Sequence, residues 1–306
     1  NRPTNNESIF ELYNIQQAIK FIEEHVNNTQ INKQFICELH KIVVKDLKND
    51  GSKYPGRYRP KDVTISQSTH TPPSHLKVPE LMDELLEFVN LETEPQFDLL
   101  KTAVAHHRFA AIHPFDNGNG RTVRLLTYAM LTRQRFIDDQ GFRLLNPSAI
   151  FVINRQKYYD MLAIADKGGH ANVIKWCEYV LEGIKSEIEK IDLLLDKSFA
   201  IDNIIVPALK LALEKKQITQ VEYEILRIAT VKSPFQVKDI QPLFGPTSSD
   251  RVAASRAVAQ LRKQNFVMVH PNFKQRYVLR FSNNYLLRGV MQQLDKFDLL
   301  PLRPNA

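Results

Sequence analysis

One short segment of this chain concentrates chemistry: His113, Pro114, Phe115, Asp116, Asn117, Gly118, Asn119, Gly120, Arg121, Thr122, Val123 and Arg124. Gly118, Asn119 and Gly120 tolerate left-handed or unusual backbone angles. Placed just before a helix, such a tract aims several unpaired N–H groups at one point. That point lies at the positive end of a helix dipole and binds phosphate. Arg121 and Arg124 are three apart, so both reach the same side of the helix start, and guanidinium forks suit phosphate oxygens. His113, a few residues earlier, titrates near neutral pH and can take a proton from a hydroxyl. Taken singly, Gly-Asn-Gly is usually a turn, a histidine usually structural, and two arginines usually a solvated face. Together at this spacing they make an anion cradle with two cationic clamps and a base.

The elements around this loop read as helices. Leu99, Leu100 and the run to Ile112 form a helix that leads straight into His113, and a new helix starts near Gly120 and runs to about Arg133. Ile9, Leu12, Ile15, Ala18, Ile19 and Ile22 recur at spacings of three and four, the pattern of an amphipathic helix. Further helices are expected over 35–47, 78–91, 156–165 and 173–189. Residues 51–57, Gly-Ser-Lys-Tyr-Pro-Gly-Arg, are turn chemistry. Residues 63–69 alternate β-branched and polar side chains and predict a short strand or hairpin, closed by Pro72 and Pro73.

Size and composition bound the reading. The chain has 306 residues, enough for two domains, with 43% hydrophobic and 25% charged residues, a soluble globular balance. No apolar run reaches the roughly 18 residues of a membrane span, and no signal peptide is visible. The two cysteines, Cys37 and Cys177, form no CxxC and suggest reduced thiols in a cytoplasmic protein. A chain that begins at Asn1 is expected to be a fragment.

The last third differs. Residues 216–306 hold 14 Lys and Arg against 6 Asp and Glu, a net +8, while the whole chain is +7. A helical connector over 191–215, in which Pro207 must begin, kink or break a helix, leads into it. Helices are expected over 221–231 and 237–243. A third, capped at Ser248, Ser249 or Asp250, runs to about Gln264, and strands follow over 266–270 and 276–280. Three helices and a hairpin give a winged helix-turn-helix outline, with DNA as one partner and protein contact or dimerisation as the other.

The loop closely resembles the signature of the Fic family, His-Pro-Phe-x-(Asp/Glu)-Gly-Asn-Gly-Arg-x-x-Arg, at eight of its nine specified positions. The lead-in at 105–112 resembles the family's helix before the motif. Tyr58-Arg59 followed by 63–69 resembles its flap hairpin, and 155–162 the segment whose first tyrosine lies near the adenine. The resemblance covers residues 9–190. It implies a mainly α, Fic-type helical bundle with a small β-hairpin flap over 1–190, ahead of the connector at 191–215 and the winged helix-turn-helix domain at 216–306.

The resemblance also implies an activity, transfer of AMP from ATP to a Ser, Thr or Tyr hydroxyl of a target protein, self-modification included. His113 would be the general base. Phe115 would anchor the loop, and Gly118, Asn119 and Gly120 would hold the phosphates. Arg121 and Arg124 would bind the β- and γ-phosphates, and Tyr158 and Asp166 would border the adenine. Val63, Thr64, Ile65 and Ser66 of the flap would pair with an extended target segment. The family's magnesium-binding acid aligns with Asn117, an amide, and Asp116 sits one residue early. The metal is therefore expected at Asn117, as Mg2+ or as Mn2+, with weakened affinity.

No Ser/Thr-x-x-x-Glu-Gly/Asn segment, the family's inhibitory motif, occurs in the chain. Any inhibitory helix is expected upstream or on a partner. Partners to expect are ATP, the target protein, DNA at 216–306 and a second copy of the chain, with no membrane. The competing readings are a Fic enzyme that moves another phosphate-containing group or removes AMP, and a DNA-binding regulator whose first domain only senses nucleotide.

Overall fold

The computed structural model describes residues 5–65, 68, 70–136, 147–282 and 284–300. The chain divides into two compact units, Asn1–Glu189 and Lys190–Ala306.

In the first unit, α1 (Asn5–His25) packs on α2 (Lys33–Val43), and α3 (Val78–Asn90) packs on α4 (Asp98–Ile112). α4 and α5 (Asn119–Arg133) lie against each other, and α2 and α6 (Pro147–Val152) also touch α5. α5 is the central helix: nearly every residue from Arg121 to Thr132 is buried, polar threonines included. Thr122, Thr127 and Thr132 each turn their hydroxyl back onto the carbonyl four residues earlier, so their burial leaves no donor unpaired. α7 (Arg155–Ala165) and α8 (His170–Leu195) follow. A cluster around Trp176, Phe151 and Tyr158 fills the space beside α4, with the Trp176 indole N–H donating to the Ala103 carbonyl at 2.7 Å.

α1 does not follow its apolar period throughout. Ala18, Ile22 and Val26 are fully buried, but Ile9 and Leu12 are 63% and 61% exposed. The first turns instead bury Glu7 and Asn14. Glu7 accepts from the Asn49 backbone N–H at 2.7 Å and its side-chain amide at 2.6 Å, and Asn14 donates to the Lys45 carbonyl at 2.7 Å. The turn after α2 exposes backbone groups that need partners, and that demand sets the helix face. The same turn ends α2 at Val43, earlier than the expected 47, with Asp46 at φ 56°.

The strand expected over 63–69 is absent where it can be seen: Val63, Thr64, Ile65 and Ser68 are irregular, and Ser66, Gln67 and Thr69 lie outside the described residues. A lone segment with no neighbouring strand cannot form a ladder.

In the second unit, the connector is helical: α8 ends at Leu195, then α9 (Lys197–Phe199), a π-helical stretch (Ala200–Ile205) and α10 (Val206–Glu214), with Pro207 in its first turn. α11 (Gln220–Val231) opens on a capping box between Thr219 and Glu222. α12 (Val237–Ile240) runs into a 3-10 turn at Gln241–Leu243. α13 (Ser248–Lys263) is capped by Thr247, one residue before the expected caps, because Asp250 reciprocates from the third position. β1 (Val267–Val269) and β2 (Tyr277–Leu279) pair antiparallel, Val267 opposite Leu279. α14 (Asn284–Lys296), which the sequence pattern did not bring out, packs on α10.

Candidate active site

α4 terminates at His113, which adopts a left-handed conformation, φ 52° and ψ 59°. That reversal turns the chain out of α4 and sets Phe115 into the core, fully buried. Asn119 closes the turn from both sides: its side-chain amide donates to the Phe115 carbonyl at 2.8 Å and its oxygen accepts the Phe115 N–H at 2.9 Å. Its side chain is therefore structural, and only its backbone N–H is left for an anion. Gly118, at φ 77°, caps α5; a Cβ there would meet Val44 Cγ1 at 2.7 Å and the His40 ring at 3.4 Å. With no side-chain cap on α5, the amides of Asn119, Gly120 and Arg121 have no i−4 carbonyl to bond.

His40, from α2, supports the loop and was not singled out from the sequence. Its ring stacks on Phe115 at 3.7 Å and 1°. The Gly56 N–H donates to its Nδ1 at 3.0 Å, so the proton sits on Nε2, which donates to the Asn117 carbonyl at 3.0 Å. Burial pushes its pKa down to about 4, against a smaller opposing pull from the Asn117 hydrogen bond, so the ring stays neutral.

Arg59 supports the loop from the flap side. Its side chain is inaccessible to solvent. Its Nε donates to the His113 carbonyl at 2.9 Å, and its backbone N–H to the Pro114 carbonyl at 2.9 Å. It also donates to the Lys61 and Pro73 carbonyls, clamping both ends of the flap. The signal in the sequence was Tyr58-Arg59 itself, noted only as the start of the flap.

His113 is half-buried, and burial lowers its pKa to about 4, opposed by a hydrogen bond to the Ala110 backbone. The ring is thus neutral at physiological pH, the form that accepts a proton.

The two motif arginines differ. Arg121 is buried and donates to the Val43 carbonyl at 3.2 Å and to the Asp50 carbonyl, with Glu11 of α1 at 3.8 Å. Arg124 makes no hydrogen bond or ion pair among the described residues. It sits recessed but reachable by solvent, and desolvation weakens its hold on its proton, with Tyr158 the chief opposing influence. An enclosed guanidinium without a partner is the environment of a group awaiting an anion.

Tyr158 is buried beside it, its hydroxyl 3.0 Å from His106 Nε2, while His106 Nδ1 lies 2.8 Å from Thr127 Oγ1. Thr127 already donates to the Val123 carbonyl, so His106 donates to Thr127 and Tyr158 donates to His106. Desolvation holds His106 well below its ordinary pKa and raises that of Tyr158. Asp166, at the end of α7, accepts from His107 Nε2 at 2.9 Å and lies 3.6 Å from His70 Nδ1. The structure thus gives Asp166 a histidine partner on each side. Val63, Thr64 and Ile65 lie beyond Arg59 without a strand partner among the described residues; Ser66 lies outside them.

The residues at 116 and 117 do not fit a resident magnesium or manganese ion. Asp116 accepts from the Ser52 hydroxyl and, at 2.9 Å, from the Lys53 N–H, which holds its carboxylate on the 51–54 turn. Asn117 donates to the Gly51 carbonyl at 2.9 Å and accepts the Gly118 N–H at 2.7 Å. A carboxylate at 117 would set an oxygen against Gly51's, so the amide suits this turn better than the acid the motif specifies.

Residues 30–131 match the Fic/DOC family. Curated relatives include the protein adenylyltransferase Fic of Aedes aegypti, 31% identical over 162 residues, covering 52% of this chain and 30% of that protein. The protein of the same name from Nematostella vectensis is 30% identical over 163 residues, covering 52% and 34%. A probable protein adenylyltransferase of Aquifex aeolicus is 32% identical over 119 residues, covering 39% and 33%. The chain thus spans about a third of the length of the curated relatives it matches. Among solved structures, a Fic family protein from Desulfovibrio desulfuricans G20 aligns with a TM-score of 0.51 at 20% identity, over 90% of this chain and 76% of that one. A Fic domain containing signaling protein from Bacteroides thetaiotaomicron aligns with a TM-score of 0.50 at 17% identity, over 62% and 73%. Both show the fold. Among the described residues no helix is long and apolar enough to cross a membrane.

Proposed function

We propose that the chain, whose residues 30–131 match the Fic/DOC family, transfers AMP from ATP to a Ser, Thr or Tyr hydroxyl of a target protein. The observation that carries this reading is the pairing of a neutral His113 with an Arg124 that has no partner among the described residues, on either side of an uncapped helix start.

In this reading the amides of Asn119, Gly120 and Arg121 and the α5 dipole bind the phosphates, with Arg124 on the terminal ones. Arg121 holds the loop to α2 and the 44–50 turn, and adds positive potential from behind. The target hydroxyl attacks the α-phosphorus. Its O–H proton passes to the free nitrogen of His113, the new O–P bond forms, and the bond from α-phosphorus to the bridging oxygen breaks as pyrophosphate leaves. Residues 63–65 would pair with an extended target segment by strand addition; that they have no partner strand among the described residues suits that role. Tyr158 would border the adenine from its place beside Arg124, and Asp166 would stand behind through His107.

Incubating the chain with ATP labelled at the α- or at the γ-phosphate, with and without a cell lysate, tests this. Protein label from the α position alone is expected. Label from the γ position would mean phosphoryl transfer instead, and no label from either would remove the transferase reading.

A further inference from the structure

Unit 2 distributes its charges unevenly. Four of its carboxylates, those of the helices from α11 to α13, are engaged within the fold. Glu222 closes the cap of α11 on Thr219, and Glu224 pairs with Arg227 at 3.1 Å. Asp239 caps α12 and lies 3.6 Å from Lys232. Asp250, the one acid on α13, is turned back onto Thr247, accepting its N–H at 2.9 Å and its hydroxyl at 2.6 Å. Most cations of α13 and the hairpin have no such partners among the described residues, although Arg280 donates to Asn265 Oδ1 at 3.2 Å. The side chains of Arg251, Arg256, Arg262, Lys263 and Lys274 are exposed and make no ion pair or hydrogen bond among the described residues.

Their placement on α13 is ordered. Ala254, Val258 and Leu261 are buried in the core of the unit. On the opposite side Val252, Arg256, Ala259 and Lys263 recur at spacings of four, three and four, all exposed, so they form one stripe. Ala259 and the neighbouring Ser255 are small, which lets the helix backbone come close to whatever lies on that stripe. Beyond it, the turn between β1 and β2 carries Lys274 and Arg276, the latter with its guanidinium 5.0 Å from the Phe273 ring. Phe235, between α11 and α12, bridges to Tyr277 of β2 with N–H···O distances of 2.9 and 2.8 Å, which ties the hairpin to the helices. Two helices joined by a turn, then a hairpin, is the outline of a winged helix-turn-helix module.

We propose that unit 2 binds duplex DNA, with the Val252–Arg256–Ala259–Lys263 stripe in the major groove and Lys274 and Arg276 on the flanking phosphates. A groove about 12 Å wide admits one helix, and a duplex offers one negative charge per roughly 1.7 Å along its axis. An exposed helix with free cations at its centre and small residues between them complements that surface. An acidic protein would need neither the small residues nor the flanking hairpin. The inference is independent of nucleotidyl transfer, since its test reads DNA binding alone.

The test is a fluorescence-anisotropy titration of the full chain against a fluorescein-labelled mixed-sequence duplex at increasing salt. Affinity should fall linearly on a log–log plot with a slope of roughly 3 to 5, about 0.9 for each phosphate contacted. Arg256→Glu with Lys263→Glu should weaken binding by about tenfold or more, while Lys210→Glu on α10 with Lys215→Glu just past its end, the same change in net charge, should alter it by about twofold or less. Competition by unlabelled duplex should exceed that by single-stranded RNA or polyglutamate. Absence of binding at low salt, equal loss in the two double variants, or equal competition by polyglutamate or RNA would each overturn the proposal.

Discussion

In the loop at 113–124, Arg121 donates to the Val43 and Asp50 carbonyls and faces Glu11, while three residues on, Arg124 has no partner among the described residues. On α13, Arg251, Arg256, Arg262 and Lys263 are all exposed and all unpaired among the described residues. A site for one small anion needs a few groups held at fixed positions, so most of the loop's polar side chains are tied to one another. His40, Asp116, Asn117 and Asn119 all serve that purpose, and Arg124 is left free. A face for a polymer needs many charges reachable from outside, and little holds them in place beyond the helix that carries them. The same residue type is therefore structural in one place, ligand-directed in a second and part of a field in a third.

The contrast breaks most sharply at Arg121. Arg121→Ala leaves two backbone carbonyls without donors and should destabilise unit 1 by about 2–4 kcal/mol. Trp176, the single tryptophan, belongs to that unit, so its fluorescence in denaturant reads the loss. Arg124→Ala should do the reverse. Stability should change by less than about 0.5 kcal/mol, while ATP affinity in calorimetry drops about ten- to a hundredfold. Equal effects of the two substitutions would erase the distinction between them.

A graded effect is expected in pH. His40 and His113 have pKa values near 4 when folded, against 6.5 as the ordinary value. Between those limits the unfolded chain binds more protons than the folded one, so stability falls as pH drops from 6.5 toward 4 and these two groups add no further loss below it. A tenfold change in proton affinity is worth roughly 1.4 kcal/mol, so His40 contributes at most about 3 kcal/mol across the window. Urea midpoints followed by Trp176 fluorescence from pH 7 to 4.5 should decline steadily; a flat profile would mean that neither ring is held neutral by burial.

Much of the loop was legible before its structure, because Gly118, the helix breaks on either side and the spacing of Arg121 and Arg124 are local features. What supports the loop was not. His40, Arg59 and His106 act across 77, 54 and 52 residues respectively; the segments holding Arg59 and His106 stood out in the sequence, but the distant partners of all three did not. The period of α1 misled at Ile9 and Leu12 because polar caps on the 44–50 turn took precedence over apolar burial. The alternation at 63–69 expressed strand propensity, but Val63, Thr64 and Ile65 find no neighbouring strand among the described residues. In unit 2 the hairpin was readable from turn chemistry, whereas the cap of α13 fell at Thr247, one residue before the expected ones, and α14 did not stand out despite its apolar face.

The measurement that reaches the central claim most directly sets His113→Ala beside the unaltered chain in two assays, calorimetric ATP binding and single-turnover transfer of α-label. If His113 is the base and the anion cradle is separate from it, ATP affinity should stay within about twofold while transfer falls by about 10²–10⁴-fold. Transfer at an undiminished rate would remove His113 from the chemistry, and a parallel loss of binding would show that it belongs to the nucleotide site rather than to proton transfer.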